Sequence, residues 1–336
     1  VFSSCYRLIE IAVNAGNSAY SSTNGVLFDR NRNTLVYCPE GKTGSYSIPA
    51  GVVHIGDEAF NSSRLNSVAI PDSVVDIGND AFYWCRSLTN VALGAGVTNI
   101  GDRAFESCDK LTVVTIPGSV VGIGHDAFSW CSGLTNVALG NGIAHIGDSA
   151  FEGCEGLALI AIPDSVVDIG WSAFNGCSGL AGVAIGNGVV DIGDNAFIGC
   201  SGLTNVALGA GVANIGGYAF AWCSSLRAIT IPAGVTNIEA LAFNSCTNLA
   251  GAYFWGDAPT TGIGGAFENT IATIYRLLNA SGWPPVPEPW AGRPTAIWGE
   301  LPTLEINPAS TNVSAAAATG RRIAVAANVA WTATTY

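Results

Sequence analysis

The sequence predicts a repeat solenoid built from 23-residue units, with a parallel β-sheet on one side and short strands and helical turns on the other. Three observations predict it. An Ala-Phe pair recurs with its Phe at positions 60, 82, 105, 128, 151, 174, 197, 220, 243 and 267, and every step from Phe82 to Phe243 is 23 residues. A fixed period of that length marks a repeat array rather than a single-copy fold. The other apolar positions keep the same register, as in Ala81-Phe82, Cys85, Leu88, Val91, Leu93, Val97 and Ile100. One unit cannot bury that apolar side alone, so successive copies must stack. The chain of 336 residues is also 49% hydrophobic, enough for a continuous core.

Within a unit, the Leu-x-x-Val-x-Leu run suits a short strand that turns alternate side chains inward. Val-x-x-Ile-Gly offers a second extended piece. Asp-x-Ala-Phe-x-x-Cys reads as a capping residue followed by one helical turn, with Asp57, Asp102, Asp148 and Asp194 as the caps. Strands about 4.8 Å apart would make a rod on the order of 50 Å long. The strand ends alternate between Ile-Pro (Ile70-Pro71, Ile116-Pro117, Ile162-Pro163) and Leu-Gly (Leu93-Gly94, Leu139-Gly140), which suggests growth by duplication of unit pairs. The array is interrupted at about 14–47, where Asn24-Gly25 signals a hairpin. From Tyr275 to Glu300 the period fails and Pro and Trp accumulate, as expected of a cap over the open apolar end.

The recurring pattern, AFxxCxxLxxVxLGxGVxxIGD with its Ile-Pro variant, resembles the BspA-type leucine-rich repeats of bacterial surface proteins from Val1 to about Ile274. The resemblance implies a secreted or cell-surface protein, extracellular in location. Its expected role is adhesion to host, matrix or cell-surface proteins, with glycan binding as the alternative. It implies no cofactor and no enzymatic activity, since that family carries no shared catalytic residues. On this reading residues 1–274 are the solenoid, 275–300 a cap and linker, and 301–336 the start of a truncated β-sandwich. The last piece, with Leu304-Glu305-Ile306 and Ala330-Trp331-Thr332, resembles a BACON-like or immunoglobulin-like fold. The sequence opens inside a repeat at Val1-Phe2-Ser3-Ser4-Cys5, so a longer parent chain is expected.

Charge narrows the partners. Asp plus Glu (25) outweigh Lys plus Arg (13), and a net charge of -12 repels nucleic acid and anionic lipid. The longest uncharged stretch, Asn195 to Leu226, is broken by Gly, Asn and Ser and carries the repeat pattern, so it reads as core rather than as a membrane span.

Three sets of residues are candidates for chemistry. Cys5, Cys85, Cys108, Cys131, Cys154, Cys177, Cys200, Cys223 and Cys246 each lie three residues after the Phe position. They are expected to form a buried structural ladder, although neighbouring Cα atoms about 5 Å apart leave disulfides open on distance. Cys38 is out of register and is the candidate reactive thiol. No CxxC pair or GxSxG elbow is present, which leaves no metal or hydrolase motif. His54, His125 and His145, like the stacked Asp72, Asp76, Asp164 and Asp168, read as surface groups. Trp84, Trp130 and Trp222 all lie two residues after the Phe. Such a stripe either binds a sugar or a protein partner or lies flat over the neighbouring turn, partly buried. The outward strand positions, such as Thr89, Asn90 and Ala92, make a flat, weakly charged face.

Overall fold

The structure, a computed structural model, describes residues 2, 5–260 and 264–298. The chain first forms an antiparallel meander of β1 (Tyr20–Thr23), β2 (Val26–Asp29) and β3 (Thr34–Tyr37). Asn24 and Gly25 join the first two strands with φ of 52° and 76°, the left-handed pair that a two-residue hairpin requires. Strand β3 then pairs in parallel with His54–Ile55, and one two-residue strand from each following coil extends the row to Asn237–Ile238, giving twelve strands.

The opposite side is built from the longer strands. β4 (Thr43–Ser47) starts an eight-stranded parallel sheet that runs through Arg64–Ala69 and Asn90–Ala92 to Asn205–Ala207. A four-stranded parallel sheet follows, from Ala228–Ile231 through Gly251–Phe254 and Thr273–Arg276 to Thr295–Ile297. In register, each residue faces its counterpart one coil later, as Val114 faces Val137 and Ile169 faces Ile192. Strand alternation decides the burial: Val91 is in the core while Asn90 and Ala92 face out.

The core between the sheets is a set of columns. The ten Phe rings stack from Phe60 to Phe267 with centroids 4.6 to 5.4 Å apart and planes within 7° of parallel. That spacing lies within the range aromatic pairs prefer, and burial of each ring contributes about 1.5–3 kcal/mol.

The expected helical turn at the outer corner is not what forms: no helix occurs among the described residues. Backbone N–H groups there alternate between two uses. Ala59, Asn61 and Ser63 donate to carbonyls three residues back, whereas Glu58, Phe60 and Ser62 donate to Asn79, Ala81 and Tyr83 of the next coil. An α-helix would turn every interior N–H back along its own axis and leave none to join the coils. Two left-handed residues per corner enforce the alternation, one two places before the Phe and one two places after, as with Glu58 and Ser62 (φ 56° and 57°). A right-handed helix cannot pass through such residues.

The Asp residues after Ile-Gly accordingly cap a different target from the one expected. Asp57 Oδ1 accepts from the Asn79 N–H at 2.8 Å, Asn79 Oδ1 from Asp102, and Asp102 Oδ1 from His125. Each side chain staples the next coil, which supplies the unpaired donor.

At the far end, Trp283 and Trp290 pack edge-on against Phe254, with centroids at 4.9 and 5.5 Å. The strand Thr295–Ile297 continues the sheet although its sequence carries no repeat signature. The segment expected to open a β-sandwich, 301–336, lies outside the described residues.

Candidate binding surface

The eight thiols from Cys85 to Cys246 are buried, and all ten cysteines are free. Each ladder thiol donates to the Phe carbonyl of the preceding coil, from Cys85 Sγ to Phe60 O at 3.0 Å through to Cys246 Sγ to Phe220 O at 3.0 Å. The thiols therefore bind the coils together as donors, with no second sulfur needed. Ser63 and Thr270 take the Cys position in the two end coils. Arg293 Nε then reaches Phe267 O at 2.9 Å, where a following coil would have placed its thiol.

Burial pushes the Cys108, Cys154, Cys177 and Cys223 thiols well above their ordinary value and the Cys200 thiol up to about 12. Cys38, expected as the reactive thiol, is also fully buried, and burial pushes it up to about 12. Its N–H donates to Ala59 O as the Phe60 N–H donates to Ala81 O, so Cys38 heads the Phe column. Its spacing of 22 residues before Phe60, the same step as Phe60 to Phe82, was the signal that places it there. The exposed thiol is Cys5.

Trp84, Trp130 and Trp222 occupy one column of the turn corner and are 45%, 52% and 50% exposed. All three have φ of 58°, in the left-handed region. The same column holds Gly153, Gly176 and Gly199 in the coils between Trp130 and Trp222. The Trp130 indole lies against Gly153, so closely that a Cβ there would meet its Cε3 at 2.7 Å. Gly176 and Gly199 are uncovered and form an open floor between the two indoles. The Arg86 guanidinium lies 4.3 Å from the Trp84 ring centroid and the Tyr83 ring 5.8 Å from it. Tyr218 lies 6.4 Å from Trp222.

Trp171, which the repeat pattern did not single out, is 52% exposed. It stands after Ile169-Gly170 where four other coils carry Asp, and an aromatic in that mostly polar column was the available signal. The outer face of the longer strands is flat. Ala138, Ala161, Ala184 and Ala207 run in a row beside Leu159, which leans over Gly182. His54 and His145 on the sheet of two-residue strands, and His125 at the corner that follows it, each approach an Asp of the next coil: Asp76, Asp168 and Asp148. All three pairs are open to solvent. Among the described residues no cluster of three or more His, Cys, Asp or Glu side chains has the arrangement of a metal site.

The model of the BspA type leucine rich repeat region matches residues 53–181 and 168–275, with six copies of the repeat. The chain belongs to the BspA-type leucine-rich repeat family. No curated protein matches it. Among solved structures, a leucine rich repeat protein of T. pallidum is 25% identical, covering 65% of this chain and 91% of its own, with a TM-score of 0.45. A leucine-rich repeat protein of Bacteroides ovatus is also 25% identical over 87% of this chain and 92% of its own, with a TM-score of 0.34. A leucine rich cell surface protein of Faecalibacterium prausnitzii is 23% identical over 80% and 97%, with a TM-score of 0.35. At these scores the BspA-type assignment rests on the repeat match. Among the described residues no helix is long and apolar enough to cross a membrane.

Proposed function

We propose that this BspA-type repeat protein is a non-enzymatic scaffold of the bacterial cell surface or extracellular space. It engages host, matrix or cell-surface proteins through the indole-bearing corner of its solenoid. One observation carries the reading. Three indoles are held half-exposed on left-handed backbone, a conformation that costs a non-glycine residue about 1–3 kcal/mol. The fold itself does not need them, because glycine, serine or asparagine fills the same position in the other coils. Exposed Trp is enriched where partners bind.

A non-catalytic role is consistent with the thiols, the strongest nucleophiles present, since nine of the ten are buried. A second reading, glycan binding, is favoured by Gly176 and Gly199, which put no side chain in the corner column between Trp130 and Trp222.

The test replaces Trp84, Trp130 and Trp222 by Gly, which suits the backbone where Ala would not, and measures binding to immobilised matrix proteins, to cells and to a glycan array. Lost protein or cell binding supports the first reading, and loss confined to the array supports the second. Unchanged binding on all three surfaces overturns both.

A further inference from the structure

Two corners of the array carry the same indole with different neighbours. At the first, Trp84 stands two residues after Phe82 and Arg86 four after it, and the Arg86 guanidinium lies 4.3 Å from the indole centroid. Asp109, four residues after Phe105 in the next coil, approaches Arg86 Nε at 3.4 Å. The guanidinium is thus held by an indole on its own coil and a carboxylate one coil on.

The second corner lies two coils further along and repeats the holders without the cation. Trp130 has the same φ of 58°, and its N–H donates to the Glu152 carbonyl as that of Trp84 donates to Glu106. Glu155 stands four residues after Phe151, in the place of Asp109, and Ser132 takes the place of Arg86. The Trp130 indole rests against Gly153 and stays 52% exposed, and among the described residues no Lys or Arg lies over its ring. Glu155 is exposed and forms no ion pair among the described residues. Between Lys110 and Arg227 the chain has no Lys or Arg, while Asp126, Asp148 and Glu152 add negative charge in the same two coils. The basic groups of these coils, His125 and His145, face Asp148 and Asp168 instead. Arg103 of the preceding coil is engaged by Asp80 and Glu106.

We propose that the Trp130 corner receives an arginine side chain of a partner protein, held by the exposed indole and the Glu155 carboxylate as Arg86 is held by Trp84 and Asp109. This narrows the protein-binding reading above, on which it rests, to one corner and one partner side chain. A planar guanidinium suits the pair better than an ammonium, because it stacks on an indole while its N–H groups meet a carboxylate. The other two indoles are unsuited: Trp84 already has Arg86, and beside Trp222 the place of Glu155 is filled by Thr247.

The experiment titrates the whole chain with an acetyl-Gly-Arg-Gly amide peptide, and with its citrulline counterpart as the neutral isostere, following the indole N–H signals by NMR. The arginine peptide should shift the Trp130 signal and bind about fivefold tighter than the citrulline peptide, the size of an exposed cation–π contact joined to an exposed ion pair. Glu155→Gln should lower that preference about twofold. Ser132→Arg puts a guanidinium where Arg86 stands one corner earlier, and should abolish the preference with Trp130 and Glu155 both in place. Equal binding of the two peptides, or a preference that survives Ser132→Arg in a folded variant, overturns the proposal. Binding to immobilised matrix proteins and cells should also weaken in Ser132→Arg. If it does not, while the triple Trp→Gly replacement loses it, the arginine contact is wrong and the indole-corner reading stands. If neither variant changes protein or cell binding, both are wrong.

Discussion

At the scale of single residues, the corner column separates backbone strain from packing. Gly153 and Gly176 have nearly equal φ, 68° and 70°, but a Cβ on Gly153 would strike the Trp130 ring whereas one on Gly176 meets nothing nearer than 4.0 Å. Gly176→Ala should therefore cost about 1 kcal/mol, the left-handed penalty alone, and Gly153→Ala clearly more. Thermal unfolding of the two variants checks the order, and equal losses would mean that the indole does not rest where the structure puts it.

The thiols give a second prediction at this scale. Cys5 should react with a thiol reagent in the folded protein, and Cys38 and the ladder only after unfolding. Cys200 has an ordinary value of 9.0 and a folded value of about 12, so the unfolded chain loses this proton first as pH rises. Stability is then intact below pH 9.0 and falls toward 12, by about 1.4 kcal/mol per pH unit for each such thiol. Melting temperatures at pH 8 and pH 10 should differ in that direction, and Cys200→Ala should flatten the fall.

At the scale of elements, the two ends solve the problem that each coil otherwise leaves to its neighbour. Phe267 has no following coil, and Arg293 donates to its carbonyl in place of a thiol. Arg293→Ala should cost about 1–2 kcal/mol. The loss should stay local, since coils in a solenoid are coupled mainly to nearest neighbours. Hydrogen exchange should quicken over Gly251–Phe254 and Thr273–Arg276 and stay unchanged at Asn136–Ala138. Uniform acceleration along the array would contradict the end-cap role. At the other end, the β1 to β3 meander covers the first two-residue strand, and Cys38 closes the ring column.

For the molecule as a whole, stability is a sum over coils and the joints between them. Phe174 stacks on Phe151 and Phe197 at 5.2 and 5.1 Å, in the middle of the column. Phe174→Ala should remove about 3–5 kcal/mol and both stacking contacts at once. The expected result in calorimetry is a broadened or split transition, as the halves on either side uncouple. A single sharp transition at lower temperature would show that the array melts as one unit. The same linear build explains why a binding surface can be changed without harm to the fold, because corner side chains such as Trp84 and Trp222 lie outside the columns.

The sequence by itself determined the coil length, the Phe and Cys columns and the alternation of strand residues between core and solvent. It could do so because each coil packs on a near-copy of itself, which makes a tertiary contact visible as a repeat in one dimension. Other features needed the third dimension. The corner reads as a helical turn because Asp before Ala-Phe mimics a helix start, and its left-handed positions are filled by residues as varied as Glu58, Arg103, Trp130 and Leu241. What chooses the turn is the hydrogen-bond demand of the next coil, which no local propensity records. Cys38 stands one 22-residue step before Phe60 and was legible in the spacing, but a Cys in place of the Phe masked it. Arg293 reaches the Phe267 carbonyl from a segment that carries no repeat signature. Where a contact joins unlike segments, only the folded chain reveals it.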